Sequence, residues 1–458
     1  MEEGRVRSAT WSGVRFYQYG STTEGPARCS QALSRAGRRG GVLYCAPLAS
    51  SVGDERLAAC AILWPAAHRE GTLRRKRLRL VLTAAIALLI LGLSSHLHTA
   101  YLAGLLLGEA STPDIDGPMA RLRPDPVVEQ VSFQSEGRTI RADIYRPRSG
   151  GPHPGILLSH GVAARGKDDP RLVNFADAMA RAGFVALVPE FVNMSQFRVR
   201  PSDIEEMVSA YEYLEARPDV EPGRVGLFGF SYAGGLSVLA ASDPAIADRV
   251  RFCFILGGYY DLENVVIYMT TGQYRREGEW RYLEPRNSGR WAFLLNSSDL
   301  IENESDRRLL EQLARRKLDD PGSDVSDVVE SLGEEGSRVY GLMVNDDPER
   351  AERLIEELSP HVREYLRDLS LPGRIEDLGA KLIIGHGRDD DLIPFTESLR
   401  LAENAPEGAE VHLETLDSFH HVDLKLWDEG GLRGFFGSLA EIVRLYSLTY
   451  DLLAQGHI

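Results

Sequence analysis

Gly229-Phe230-Ser231-Tyr232-Ala233-Gly234-Gly235 is the stretch on which the fold turns. It follows Arg224 to Phe228, a short apolar run of strand type, and leads into Leu236 to Ala241, which reads as a buried helix. A serine at the tip of a sharp strand-to-helix turn sits in a strained backbone conformation that exposes its hydroxyl. Side chains two residues to either side must then be small, so that strand and helix can approach; Gly229 and Ala233 are. Ser231 is therefore the nucleophile candidate. A glycine-rich turn also occurs in α/β proteins with no such role, so the rest of the chain has to decide.

Outward from this turn the pattern alternates. Val127 to Phe133 and Thr139 to Tyr145, joined through Ser135-Glu136-Gly137, read as a hairpin. Strands then follow at Gly155 to Leu158, Val185 to Val188, Phe252 to Leu256, Leu382 to Ile384 and Val411 to Leu416. Helices are expected at Leu172 to Ala182, Ile204 to Ala216, about Thr396 to Ala405 and about Leu432 to Leu453. Apolar strands alternating with helices predict a mostly parallel sheet covered on both faces. Between Tyr260 and about Ile375 the rhythm stops, and charged helical runs appear at Asp306 to Lys317 and Pro348 to Leu358. That is too much chain for a loop, so a helical cap inserted over about 261–375 is expected.

A serine hydroxyl needs a general base, usually a histidine oriented by a carboxylate. Both occur after Ser231, in the order Ser, Asp, His. The acid lies in Gly385-His386-Gly387-Arg388-Asp389-Asp390-Asp391-Leu392-Ile393-Pro394, directly after a strand. This resembles the H-G-x-x-D-x-x-[VI]-P pattern of α/β-hydrolases, which implies Asp390 as the acid; Asp389 and Asp391 read as a solvated face and Asp261 as a weaker alternative. The base lies in Asp417-Ser418-Phe419-His420-His421-Val422. The resemblance favours His421, with His420 the alternative. Ser159-His160-Gly161-Val162 resembles the family's H-G-x turn, which implies the Val162 amide as one oxyanion donor and the Tyr232 amide as the other. His160 would support that loop. Ala233 stands where the family usually has glycine. From about Val127 onward the chain thus resembles an α/β-hydrolase, nearest to the dienelactone-hydrolase-like branch. What this implies is hydrolysis of a small-molecule ester or amide by a serine enzyme, with a serine peptidase or an inactive hydrolase-fold binding protein as alternatives.

Composition narrows the partners. The 43% hydrophobic content suffices for a sizeable core, and the formal net charge is −15. Met1 to Arg79 carries 14 Lys and Arg against 6 Asp and Glu, so the remainder carries −23, which argues against nucleic acid or anionic lipid as its ligand. Four scattered cysteines give no disulfide framework, and no metal-ligand spacing or cofactor motif occurs, so no metal or cofactor is expected. Residues 1–72 lack any sustained apolar period and are read as a disordered tail, or as sequence outside the natural protein. Residues 73–108 begin with a basic cluster, Arg74 to Arg79, and Leu80 to Gly108 then holds no Asp, Glu, Lys or Arg. Leu80 to Leu107 would run about 42 Å as a helix, enough to cross a bilayer. The expectation is a single-pass anchor with the hydrolase domain extracytoplasmic; a cleaved signal and a buried soluble helix are the alternatives. Residues 109–126 read as a linker.

Overall fold

The structure, a computed structural model, describes residues 7–11, 14–18, 42–47, 58–63, 80–83, 93–109, 117–417, 419–420, 423–424 and 431–457. The chain divides into two compact units, Met1–Leu93 and Ser94–Ile458. In the first unit the strands Arg7–Trp11, Val14–Gln18, Val42–Pro47 and Ala58–Leu63 form one antiparallel sheet. The sequence reading assigned this stretch no fold. Its strands are five or six residues long, and the register sets Ala61 opposite Phe16 and Tyr44. Pairing of that kind leaves no alternating signature in sequence.

The second unit is built on eight strands: β1 (Val127–Ser135), β2 (Arg138–Arg146), β3 (His153–Ser159), β4 (Val185–Pro189), β5 (Val220–Phe230), β6 (Phe252–Leu256), β7 (Lys381–Gly387) and β8 (Val411–Leu416). Their order across the sheet is β8-β7-β6-β5-β3-β4-β2-β1. β3 to β8 are parallel, and β2 is antiparallel to both its neighbours. Glu136 and Gly137 close the first hairpin with φ of 47° and 78°, the two-residue turn that suits strand twist. This is the α/β-hydrolase fold.

Helices cover both faces because alternate strand residues supply two cores. Leu227, Cys253, Ile255, Leu382 and Ile384 point to one side, where α2 (Ser202–Glu215) and α3 (Tyr232–Ala241) pack. Phe228, Phe252, Phe254 and Ile383 point to the other, against α1 (Pro170–Ala182) and α11 (Gly431–His457). α1 starts where the Asp169 side chain accepts the Arg171 amide and Pro170 presets φ, and it stops at Gly183, whose φ of 110° suits a residue without Cβ. Between β6 and β7 lie α4 (Leu262–Thr271), a hairpin of Gln273–Arg276 with Glu279–Tyr282, then α5 (Asn287–Asn296), α6 (Glu304–Asp319), α7 (Glu334–Met343), α8 (Pro348–Glu356) and α9 (Pro360–Asp368). α10 (Thr396–Glu403) follows β7.

Among the described residues no helix is long and apolar enough to cross a membrane. Residues 84–92, the middle of the expected span, lie outside the described residues. Its later part is a helix of the hydrolase unit: Leu102, Ala103 and Leu106 are buried with Leu445, Leu448 and Leu452 of α11, and the Tyr446 hydroxyl donates to the Ala100 carbonyl at 3.0 Å.

Candidate active site

Ser231 caps α3 with φ 55° and ψ −129°, a left-handed conformation that costs a non-glycine residue about 1–3 kcal/mol. The surroundings hold it there. Its amide donates to the Leu256 carbonyl at the end of β6, and its carbonyl accepts the Gly234 amide, both at 2.9 Å. A Cβ at Gly229 would lie 2.3 Å from the Ala233 carbonyl oxygen, so that glycine is obligatory. Ala233 is wholly buried, its methyl accommodated where the family usually has glycine.

The turn after β3 lies against this serine. A Cβ on Gly161 would meet Ser231 Cβ at 3.4 Å and the Phe230 carbonyl at 3.3 Å. His160 fixes the loop: its Nε2 accepts the Phe191 amide at 3.1 Å, so Nδ1 carries the proton and donates to the Gly161 carbonyl at 2.8 Å. Burial lowers its pKa. A neutral imidazole with both nitrogens engaged is a brace, as the sequence reading anticipated for this residue, and is not available as a base. Among the described residues neither the Val162 amide nor the Tyr232 amide donates a hydrogen bond. An oxyanion requires two such unengaged donors aimed at one point.

Asp390 follows β7 and is fully buried. Its Oδ1 accepts the Leu392 and Ile393 amides at 2.9 and 3.0 Å, while Oδ2 stands 3.4 Å from His386 Nε2. His386 is fully buried too, bonded through Nδ1 to Ser398 Oγ (2.7 Å) and through Nε2 to the Ile393 carbonyl (3.0 Å). Its neighbours differ in kind: Asp389 is exposed, and Asp391 pairs with Arg286 of the insertion at 3.1 Å. Asp261, the alternative acid, is the N-cap of α4, accepting the Glu263 amide at 3.0 Å. His421 lies outside the described residues, as does the side chain of His420. The described backbone to either side pairs Phe419–His420 with Asp423–Leu424, antiparallel and beside β7. Serine, acid and base segments thus sit after β5, β7 and β8 of one parallel sheet.

Some of what surrounds the site left no trace in local sequence. The Tyr232 ring lies 5.6 Å from that of Tyr259, and burial, with Tyr365 and Asp390 nearby, raises the Tyr232 phenol above its usual range. Tyr259 donates to the Leu369 carbonyl (2.7 Å) and Tyr365 to that of Val199 (2.9 Å). Glu397 accepts the Tyr260 and Asp261 amides at 3.1 and 2.7 Å, and burial pushes its carboxyl up to about 7. Of the insertion's aromatic residues, Tyr268 is fully buried and donates to the Asp390 carbonyl at 3.0 Å, so it steadies the acid loop. Trp291 is core, Tyr282 is 62% exposed, and Trp280 lies under Arg275 at 4.6 Å. A second Ser-His-Asp alignment occurs elsewhere. His412 bonds Asp451 at 2.8 Å and Ser447 at 3.3 Å. It stands at the start of β8, the opposite end of the sheet, and staples α11 to the edge strand.

The family model for X-Pro dipeptidyl-peptidase (S15 family) matches residues 136–415, from the first hairpin through β8. The chain belongs to the S15 family. This S15 chain is also similar to the quorum-quenching protein AidA of Acinetobacter baumannii, 27% identical over 28% of this chain and 44% of that protein. A probable 2-oxo-3-(5-oxofuran-2-ylidene)propanoate lactonase of Bradyrhizobium sp is 27% identical over 28% of this chain and 57% of that protein. The S15 chain spans about half the length of the curated relatives it matches. Among solved structures, the dienelactone hydrolase of Anabaena variabilis aligns over 71% of this chain and 96% of its own, with 14% identity and a TM-score of 0.36. The family match and the strand order together make the chain an α/β-hydrolase-fold protein.

Proposed function

We propose that the protein cleaves a carboxylic ester through an acyl-enzyme. Ser231 Oγ attacks the carbonyl carbon while His421 takes its proton, and Asp390 holds the imidazolium that forms. The Val162 and Tyr232 amides receive the oxyanion. Collapse expels the alkoxide, protonated by His421, and water then attacks the acyl-enzyme by the same route. The observation that supports this reading best is the strained Ser231 with two unfilled amides beside it. The name of the lactonase relative, an enzyme acting on a cyclic ester, favours ester over amide.

The test is fluorophosphonate labelling with hydrolysis of p-nitrophenyl butyrate. Wild type should label and turn over, and Ser231→Ala should do neither; wild-type turnover by the variant would remove Ser231 from the mechanism. A second reading, a serine peptidase, has the family model's name in its favour, and preference for Ala-Pro-p-nitroanilide over the ester would establish it. The third, an inactive binding protein, predicts no labelling at all. Membrane attachment also stands as a proposal for the part of residues 73–108 that precedes the helix packed on α11, supported by the basic flank and the uncharged run that begins at Leu80. Release of the full chain from membranes by alkaline carbonate would refute it.

A further inference from the structure

The loop that carries Asp390 is held from two directions. The sheet holds it on one side: His386 Nε2 of β7 donates to the Ile393 carbonyl at 3.0 Å, and the Arg388 amide donates to the Leu416 carbonyl of β8 at 2.8 Å. The insertion holds it on the other. The Tyr268 hydroxyl of α4 donates to the Asp390 carbonyl at 3.0 Å. Arg286, between the insertion's hairpin and α5, makes three bonds to Asp391. Its amide donates to the Asp391 carbonyl at 2.9 Å, and its Nε and Nη2 donate to the two carboxylate oxygens, both at 3.1 Å. The Arg286 side chain makes no cap bond to α5, so the acid loop is what it serves.

A two-pronged guanidinium-carboxylate pair fixes direction as well as distance. The side chains of this pair are 51% and 37% exposed, so it adds little to global stability. Its effect is local. Asp390 Oδ1 accepts the amides of Leu392 and Ile393, the two residues after Asp391. Those bonds fix the carboxyl within the loop, and the direction of the loop relative to the sheet is then set by His386 on one side and the insertion on the other. We propose that Arg286 is a positioning residue for Asp390, acting through Asp391, so that the insertion is part of the frame that aims the acid. This rests on the reading of Asp390 as the acid of the triad, and it holds for an ester or an amide substrate alike.

Arg286→Met removes the fork and leaves the backbone bond in place. Its rate of fluorophosphonate labelling and its kcat for p-nitrophenyl butyrate should each fall about tenfold, the scale of a catalytic group slightly misplaced. KM should stay within about twofold, and the melting temperature within about 3 °C. Arg286→Lys keeps the charge but cannot form the fork, so it should lose nearly as much; full activity there would show that charge alone matters and would overturn the proposal. Arg281→Met, which breaks an exposed pair with Glu279 in the same insertion, should label as wild type does. Hydrogen exchange reads the loop without catalysis: the Leu392 and Ile393 amides should exchange faster in Arg286→Met than in wild type. Unchanged labelling and turnover in Arg286→Met, beside a wild type that labels, would overturn the proposal whatever the exchange shows, and would leave the acyl-enzyme reading intact. If wild type neither labels nor turns over but those amides still exchange faster in Arg286→Met, the hold on the loop stands and the hydrolase reading falls; unchanged exchange in that case would sink both.

Discussion

Replacing Asp390 by Asn tests the proposal that Asp390 and not Asp261 is the catalytic carboxylate, because the surroundings of the two differ in kind. In Asp390→Asn the Oδ1 can still accept the Leu392 and Ile393 amides, now at 2.9 and 3.0 Å, so the loop keeps its shape. The other end becomes an NH2 group at the Oδ2 position, 3.4 Å from His386 Nε2. That nitrogen already donates to the Ile393 carbonyl at 3.0 Å. Two donors then face each other in a fully buried site, at a cost of about 1–2 kcal/mol. At roughly 2–4 °C per kcal/mol, melting should fall by a few degrees. Turnover should fall far more, by about 10³–10⁴-fold, since a neutral amide cannot stabilise the imidazolium. Asp261→Asn is the control: Asn caps a helix as well as Asp, so stability should move by no more than about 0.5 kcal/mol and turnover should persist. The assay is p-nitrophenyl butyrate hydrolysis beside a thermal melt of each variant. Retention of most of the turnover by Asp390→Asn, or a larger loss in Asp261→Asn, would refute the assignment.

Two further predictions concern the serine turn and the far end of the sheet. Gly229→Ala would put a methyl 2.3 to 2.6 Å from the backbone of Ala233 and Gly234, so it should abolish fluorophosphonate labelling, whereas Ala233→Gly should label normally; normal labelling of Gly229→Ala would show that the turn is not held as described. The His412 pair is pH-dependent. Asp451 raises the folded pKa of His412, so its stabilisation is full below the unfolded value of about 6.5 and fades as pH rises through the higher folded value. Urea melts of wild type and His412→Asn should therefore differ at about pH 5.5 and converge at high pH, and a pH-independent difference would mean that the ring acts by packing alone.

Sequence by itself determined the eight strands of the hydrolase sheet and the helices that flank them, the serine turn, and the loops that carry Asp390 and Val162. Each of these is a local requirement. Alternating apolar residues assign a strand's two faces, and a glycine such as Gly229 marks a place where backbones meet within a few residues. Tertiary structure decided what depends on contacts between distant segments. Tyr268 became a support for a loop 122 residues away, and Glu397 filled the amides of Tyr260 and Asp261. The apolar run after Leu93 illustrates the same limit, since periodicity records that a face is apolar and not what covers it. For Leu102, Ala103 and Leu106 the cover is α11, more than three hundred residues further along the chain, and no spacing rule reaches that far.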